Sequence, residues 1–210
     1  GLTQHQNSVD NVASVTGLSM LLNAVLFPNR GKVNVQGAGD VGAQPDWETT
    51  TKAIAHGWND AYRSHEGLPS TEGLYRDEVE FVWVMGSNPC QSMPDLNALE
   101  GSFRRKFVVY QHHHPGRTME FADVVLPMAV LSEEQGSITN GERRVRGFFN
   151  ETSGPDNSGI TMGEGVRTGV RILVDWAKSL GAPGFDFDSD RQVFEEMVQV
   201  VPGYGCLTGD

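Results

Sequence analysis

VEFVWVMGSNPCQSMPD at 79–95 and FVVYQHHHPGRTMEFADVVLP at 107–127 are the stretches that decide the fold. Each opens on a short, mostly apolar run, 79–85 and 107–110, and then breaks into Gly, Asn, Pro or His. Runs that short, bounded by turn residues, read as strands covered on both faces. Between them the pattern predicts a short helix over 94–103 with Ser92 as its cap. After the second run come one helical turn over 118–122 and a third short strand over 124–126, stopped by Pro127. Strand and helix alternate, so an α/β fold with a partly parallel sheet and flanking helices is the economical arrangement. Ligands of open α/β sheets bind beyond the carboxyl ends of the strands. The loops after these runs are therefore the first place to look for function.

Outward from this centre, 9–27 carries Val12, Val15, Leu18, Leu22 and Val25 at helical spacing, with Ser8 or Asp10 as candidate caps and Pro28 as a stop. Residues 29–45, NRGKVNVQGAGDVGAQP, are Gly-rich and read as an ordered loop or turn series. A short helix is expected over 46–58 and a polar surface excursion over 59–77. A third loop, SEEQGSITNGERRVR at 132–146, leads into an extended segment over 142–149 and a polar loop over 150–159. Helices are expected over 166–180, ended by Gly181 and Pro183, and over 190–200.

The chain has 210 residues and a net charge of -11, from 27 acidic and 16 basic side chains. That balance argues against a general nucleic-acid binder, which would present a basic face. Only four of the basic residues are Lys. A high-salt habitat would produce such a surface, and so would an ordinary soluble acidic enzyme, which is the simpler reading. No apolar run approaches the roughly 20 residues needed to span a bilayer, so direct membrane insertion is not expected. Two cysteines, Cys90 and Cys206, form no CxxC pair, which speaks against a structural zinc or iron–sulfur centre within these residues. A cytoplasmic location is expected, with the periplasm left open. The chain begins within a segment that reads as structured, and is expected to be an internal piece of a longer protein.

Several groups have the chemistry of a site. In GSNP at 86–89, Gly86 lets backbone approach a ligand, and Ser87 and Asn88 offer a hydroxyl and an amide; a plain strand-to-helix turn has the same composition. Gln111 is followed by His112, His113 and His114. In an extended stretch neighbouring side chains point to opposite faces, so three consecutive histidines are not expected to share an ion, and no metal ligand is assigned. Thr118 and Asp123 flank the third strand; Asp123 would accept from a base or sugar, or cap a turn. Arg143, Arg144 and Arg146 face either an anionic partner or Glu133, Glu134 and Glu142. Arg30 lies in the Gly-rich stretch beside Lys32, Asn34 and Gln36, which matches neither a Walker A nor a dinucleotide fingerprint.

Taken in order, LTQHQNSVDNV at 2–12, RGKVNVQGAGDVGAQP at 30–45, VMGSNP at 84–89, ADVVLP at 122–127 and EEQGSITNGERRVR at 133–146 resemble the catalytic subunits of molybdopterin-dependent oxidoreductases, formate dehydrogenase alpha subunits in particular. The resemblance implies a Rossmann-like, incomplete portion of a larger multidomain fold. It implies a molybdenum or tungsten ion held by molybdopterin guanine dinucleotide, two to the metal, and a two-electron oxidation of a small substrate. Carried over by motif, Gln4 would touch the pterin. Gly86, Ser87 and Asn88 would hold one dinucleotide, and Gln111, His112, Thr118 and Asp123 would serve the next nucleotide-side loop. Arg30 would lie beside the metal and orient a small anionic substrate.

The resemblance further implies that 1–30 finish one α/β domain, that 31–130 form a cofactor-cradling α/β segment, and that 131–210 cross over to strands and helices beyond it. The partners would be the remaining domains of the parent chain and an electron-transfer subunit or acceptor. A 4Fe-4S cluster and the metal's own ligand are expected only outside these residues, so the isolated chain is expected to be inactive. Departures from the family pattern include Lys32 for Gln, Gly39 for Cys and His112 for Asp, and these bear on substrate more than on cofactor class. Two other readings fit the pattern: a metal-free scaffold related to the large iron–sulfur subunit of NADH dehydrogenase, and a simple mononucleotide-binding α/β protein.

Overall fold

Three parallel strands form the centre of the chain: β1 (Phe81–Met85), β2 (Phe107–His112) and β3 (Val124–Pro127), in the order β1-β2-β3. The computed structural model describes residues 2–43, 70–149, 163–201 and 203–205. Register aligns Met85 with Gln111 and His112 with Pro127, so the carboxyl ends of all three strands share one edge. Alternation along the strands sorts the side chains by face. Val82, Val84, Val108 and Tyr110 enter a core with Cys90, Leu99, Phe103 and Phe121. Trp83 and Gln111 project from the opposite face, where their side chains meet.

The helices α1 (Ser8–Leu21) and α2 (Val35–Asp40) and a single helical turn at Ser70–Gly73 come before the sheet in the described residues. The first face of the sheet is covered by a short helical turn (Pro89–Ser92) and by α3 (Leu96–Phe103). Ser92 does not cap α3 as expected. Met93, before Pro94, is extended, as a residue preceding proline tends to be. The helix can start only after the proline, and Asp95 takes the cap by accepting from Ala98 N–H at 3.2 Å. Leu99 and Phe103, one turn apart, are both buried. Burial of each such side chain contributes roughly 1.5–3 kcal/mol. The other face receives α4 (Gly169–Ser179), whose Trp176 meets Trp83 edge-on at 4.7 Å. Thr168 caps its start and Gly181, at φ +68, follows its end.

A second unit joins distant parts of the chain. The Gly-rich stretch expected as loop contains α2. Three-dimensional contacts override its weak helix propensity: Gln36 and Gly37 are buried, and Asn34 reaches across to the hairpin of β4 (Gly136–Thr139) and β5 (Val145–Phe148). Asn34 Oδ1 accepts from Thr139 N–H at 3.0 Å, and its Nδ2 donates to Ser137 O at 3.4 Å. The extended segment expected over 142–149 is thus half of an antiparallel hairpin whose other half, β4, was not anticipated. The last helix, α5 (Asp190–Val200), lies against β4 and closes this unit through Val200, Val201 and Tyr204.

Near the amino terminus, α1 forms as expected but is bounded differently. Neither Ser8 nor Asp10 caps it; Asn7 holds the cap position without a side-chain bond. It ends well before Pro28, because Asn23 takes a left-handed conformation. Asn23 N–H then donates to Met20 O and Ala24 N–H to Ser19 O, the paired bonds that close a helix end. None of its side chains is buried. Among the described residues no helix is long and apolar enough to cross a membrane. The helix expected over 46–58 and the loop over 150–159 lie outside the described residues.

Candidate functional site

At the carboxyl edge of the sheet, Gly86 continues the ladder by donating its N–H to Gln111 O at 2.9 Å while taking φ +59. The chain turns outward there, leaving Gly86 and Ser87 exposed. Asn88 then turns back and binds the loop after β2. Its Oδ1 accepts from Thr118 N–H at 2.9 Å and from the Thr118 hydroxyl at 2.6 Å. Thr118 Oγ1 in turn accepts from Cys90 N–H at 3.1 Å. This latch fixes the loops after β1 and β2 to each other. Gly116 completes it: an added Cβ would fall 2.5 Å from Asn88 Nδ2 and 2.8 Å from the Tyr110 hydroxyl oxygen. Gly116→Ala is therefore expected to destabilise the fold by about 1–3 kcal/mol, the usual range for overpacking, as measured by urea unfolding.

Thr118 is completely buried, so its hydroxyl supports the loops from within. Gln111, 2% exposed, is likewise internal. It accepts from Trp83 Nε1–H at 3.0 Å, and its amide nitrogen lies 3.4 Å from Met128 Sδ. The start of α4 rests on this joint. A Cβ on Gly169 would lie 3.3 Å from Met128 Sδ and 3.5 Å from the Gln111 amide nitrogen.

Glu134, from the third sequence loop, holds the same helix by accepting from Gly169 N–H at 3.0 Å. Burial pushes the Glu134 carboxyl above its ordinary range; the Gly169 N–H opposes that shift and Asp190 adds to it. A raised folded value means that protonation favours the folded state. This contribution is present below the ordinary Glu value of 4.5 and is lost as pH rises through the raised folded value. Glu134→Gln, which keeps the acceptor, is expected to flatten that part of the stability–pH curve, read by unfolding at a series of pH values.

The three histidines do not alternate. β2 ends at His112 and the chain bends, bringing one possible ligand atom from each of His112, His113 and His114 within 4.8 Å of the others. Side chains take opposite faces only inside a strand. Here the rings pack on one another, and His112 stacks on Tyr110 with centroids 5.4 Å apart. His112 Nδ1 accepts from His114 N–H at 3.2 Å. Burial, then the neighbouring imidazoles, holds His112 below its ordinary value and favours the neutral ring. The Cys90 thiol is pushed up, chiefly by burial, and is no activated nucleophile.

Asp123 sits elsewhere. Its carboxylate accepts from Val108 N–H at 2.7 Å, at the amino end of β2, where it fixes the register of β3. About four strand residues, roughly 13 Å, separate it from the carboxyl edge. Among the arginines of the third loop, Arg144 pairs with Glu142 at 3.4 Å, with both side chains exposed.

Arg30 belongs to the second unit. Its Nη2 donates to Gln36 Oε1 at 3.3 Å, and Gln36 Nε2 donates to Asp40 Oδ1 at 2.7 Å. The Tyr204 hydroxyl lies 3.2 Å from Asp40 Oδ2 and 3.1 Å from Thr139 Oγ1. Gln4 is exposed in the turns before α1, and no hydrogen bond among the described residues ties it to either cluster.

The family model of molybdopterin oxidoreductase matches residues 1–158. The chain belongs to the molybdopterin oxidoreductase family. It is 31% identical over 232 residues to F420-dependent formate dehydrogenase 2 subunit alpha of Methanococcus maripaludis, a match covering 99% of this chain and 32% of that protein. It is 27% identical over 224 residues to formate dehydrogenase H of Escherichia coli, covering 97% of this chain and 30% of the relative. A nitrate reductase of Shewanella frigidimarina is 28% identical over 191 residues, covering 81% and 19%. The chain thus spans about a third of the length of the formate dehydrogenases it matches. Within this member of the molybdopterin oxidoreductase family, the latch through Gly116 and the clamp of Glu134 on α4 were missed from sequence. Gly116 follows a proline and reads as an ordinary turn residue, and Glu134 reads as an arginine partner. Asp40 and Tyr204 lie 164 positions apart, and no local pattern joins them.

Proposed function

We propose that this chain is the part of a molybdenum- or tungsten-dependent oxidoreductase that cradles one pterin guanine dinucleotide and contributes Arg30 to the substrate site. The parent enzyme would oxidise a small anionic substrate by two electrons, as a formate dehydrogenase does, and pass them to an iron–sulfur partner. The main support is the latched pair of loops at the carboxyl edge of a parallel sheet, where α/β folds bind nucleotides.

The groups present fit such a ligand. A Cβ on Gly86 would meet only Met128 Cε, at 3.8 Å, so backbone there is open to close approach. Ser87 offers an exposed hydroxyl, and His112 a partly exposed imidazole. Together with main-chain amides these are donors suited to phosphate and ribose oxygens. In this reading Gly86, Ser87 and His112 hold the dinucleotide, and Asn88 fixes their loops through its bonds to Thr118. Gln111 and Thr118 keep those loops in place, and Asp123 fixes β3, into which the second loop runs. Gln4 is assigned to the pterin on its sequence match alone. When bound, the metal–pterin group supplies the two-electron redox chemistry. Arg30, a planar fork of donors, orients a carboxylate or similar anion beside it.

The parent's other domains are the partners we infer for the exposed apolar side. Val9, Met20, Leu21 and Val25 are each more than three-quarters exposed. Large apolar side chains left that exposed suit a covering partner surface, and the relatives carry about two-thirds of their length beyond the matched part. The test is formate-dependent reduction of an artificial electron acceptor by the full-length protein under anaerobic conditions. Turnover is expected with formate; turnover of nitrate with a reduced dye, and none of formate, would reverse the substrate assignment.

A further inference from the structure

The cluster around Arg30 has a polarity that the side-chain chemistry dictates. A carboxylate can only accept, so the Gln36 group that meets Asp40 Oδ1 at 2.7 Å must be the amide nitrogen. The carbonyl oxygen of the same amide is thereby turned toward Arg30, whose Nη2 it meets at 3.3 Å. Asp40 is held in its turn. Its second oxygen accepts from the Tyr204 hydroxyl at 3.2 Å, and that hydroxyl lies 3.1 Å from Thr139 Oγ1 on β4. Gln36, Thr139 and Tyr204 are at least nine-tenths buried, whereas Arg30 is exposed. The buried members make a fixed base, and the guanidinium stands at its outer end.

We propose that Asp40 is a positioning residue for Arg30, acting through the Gln36 amide and backed by Tyr204. Its negative charge fixes which end of the amide faces the guanidinium. One Nη2–H is thereby occupied, and the remaining donors of the fork are aimed outward at an anion. If Asp40 were neutral, the amide could rotate and present NH2 to the guanidinium, which has no acceptor to receive it. The helix carrying Gln36 and Asp40 also needs a glycine where it meets β4. Gly37 packs directly on the Asn34 side-chain carbonyl and on Thr139 Oγ1, so no larger residue fits where α2 meets β4.

This inference rests on the assignment of Arg30 to an anionic substrate, and the experiment separates the two. In the full-length protein, the apparent affinity for formate and for nitrate is measured alongside kcat, metal content and pterin content. Binding is also followed without turnover, by protection of the protein against thermal unfolding. Asp40→Asn is expected to weaken the affinity for whichever anion binds by about tenfold, with metal and pterin content unchanged. The double variant Gln36→Glu with Asp40→Asn should restore it. The carboxylate then at position 36 would accept from Arg30. The amide at position 40 would donate to that carboxylate while still accepting from Tyr204. Tyr204→Phe is expected to weaken affinity less than Asp40→Asn. If Arg30→Lys weakens anion binding but Asp40→Asn does not, or if the double variant fails to restore affinity while keeping its cofactor, the positioning role is overturned. If Arg30→Lys leaves anion binding unchanged, the assignment of Arg30 falls, and the positioning role with it.

Discussion

Arg30→Lys in the full-length protein is expected to lower kcat/KM for its anionic substrate roughly 10- to 100-fold, with the metal and pterin still bound. The figure follows from replacing a planar, two-pronged donor with a single ammonium. That exchange forfeits about one charge-assisted hydrogen bond, worth about 1.5–3 kcal/mol. Arg30 is exposed in this part of the protein, and among the described residues its side chain bonds to Gln36. Its substitution therefore removes little from the fold itself. Steady-state kinetics on matched preparations, with metal content determined on the same samples, gives the result. Unchanged kinetics would remove Arg30 from the substrate site.

Asn88→Ala is expected to act differently, on the cradle and the fold together. The substitution removes the acceptor of both Thr118 N–H and the Thr118 hydroxyl, at a residue with no exposed surface. A buried donor left without a partner costs about 1–3 kcal/mol, so a loss of roughly 2–4 kcal/mol is expected in urea unfolding. With the latch gone, the Ser87 loop and the loop after His112 are no longer fixed to each other, and the full-length protein should retain less pterin. Thr118→Ser, which keeps hydroxyl and main chain, should preserve most of both. Normal stability and normal pterin content in Asn88→Ala would show that the latch does not hold the cradle.

The parts of this fold that were legible in the sequence are those specified locally. The apolar runs 79–85 and 107–110 became β1 and β2 because their residues suit a sheet covered on both faces. The helix expected over 190–200 forms over those bounds, while the one expected from 166 begins only at Gly169, where Thr168 caps it. The errors came where a neighbour in sequence overruled a pattern, or where the deciding contact was remote. Pro94 moved the start of α3 and gave the cap to Asp95. Asn34, bonded to β4 more than 100 residues away, made a helix out of a glycine-rich stretch.

For the candidate site, residue types were legible and their roles were not. Asn88 and Thr118 both stood out as ligand groups, yet each spends its side chain on the other. Gln111 is an internal joint, and Asp123 secures the far end of the sheet. The bend after His112 gathered three rings that strand geometry would have kept apart. The Arg30 segment was noticed for its arginine, while the buried network beneath it depends on Tyr204, which only the folded chain brings near.

Whether these loops serve a metal–pterin enzyme is tested most directly by metal and pterin analysis of the full-length protein purified anaerobically. Molybdenum or tungsten, accompanied by two pterin guanine dinucleotides per metal, is the predicted result. A pure, folded protein containing neither metal and no pterin would contradict it.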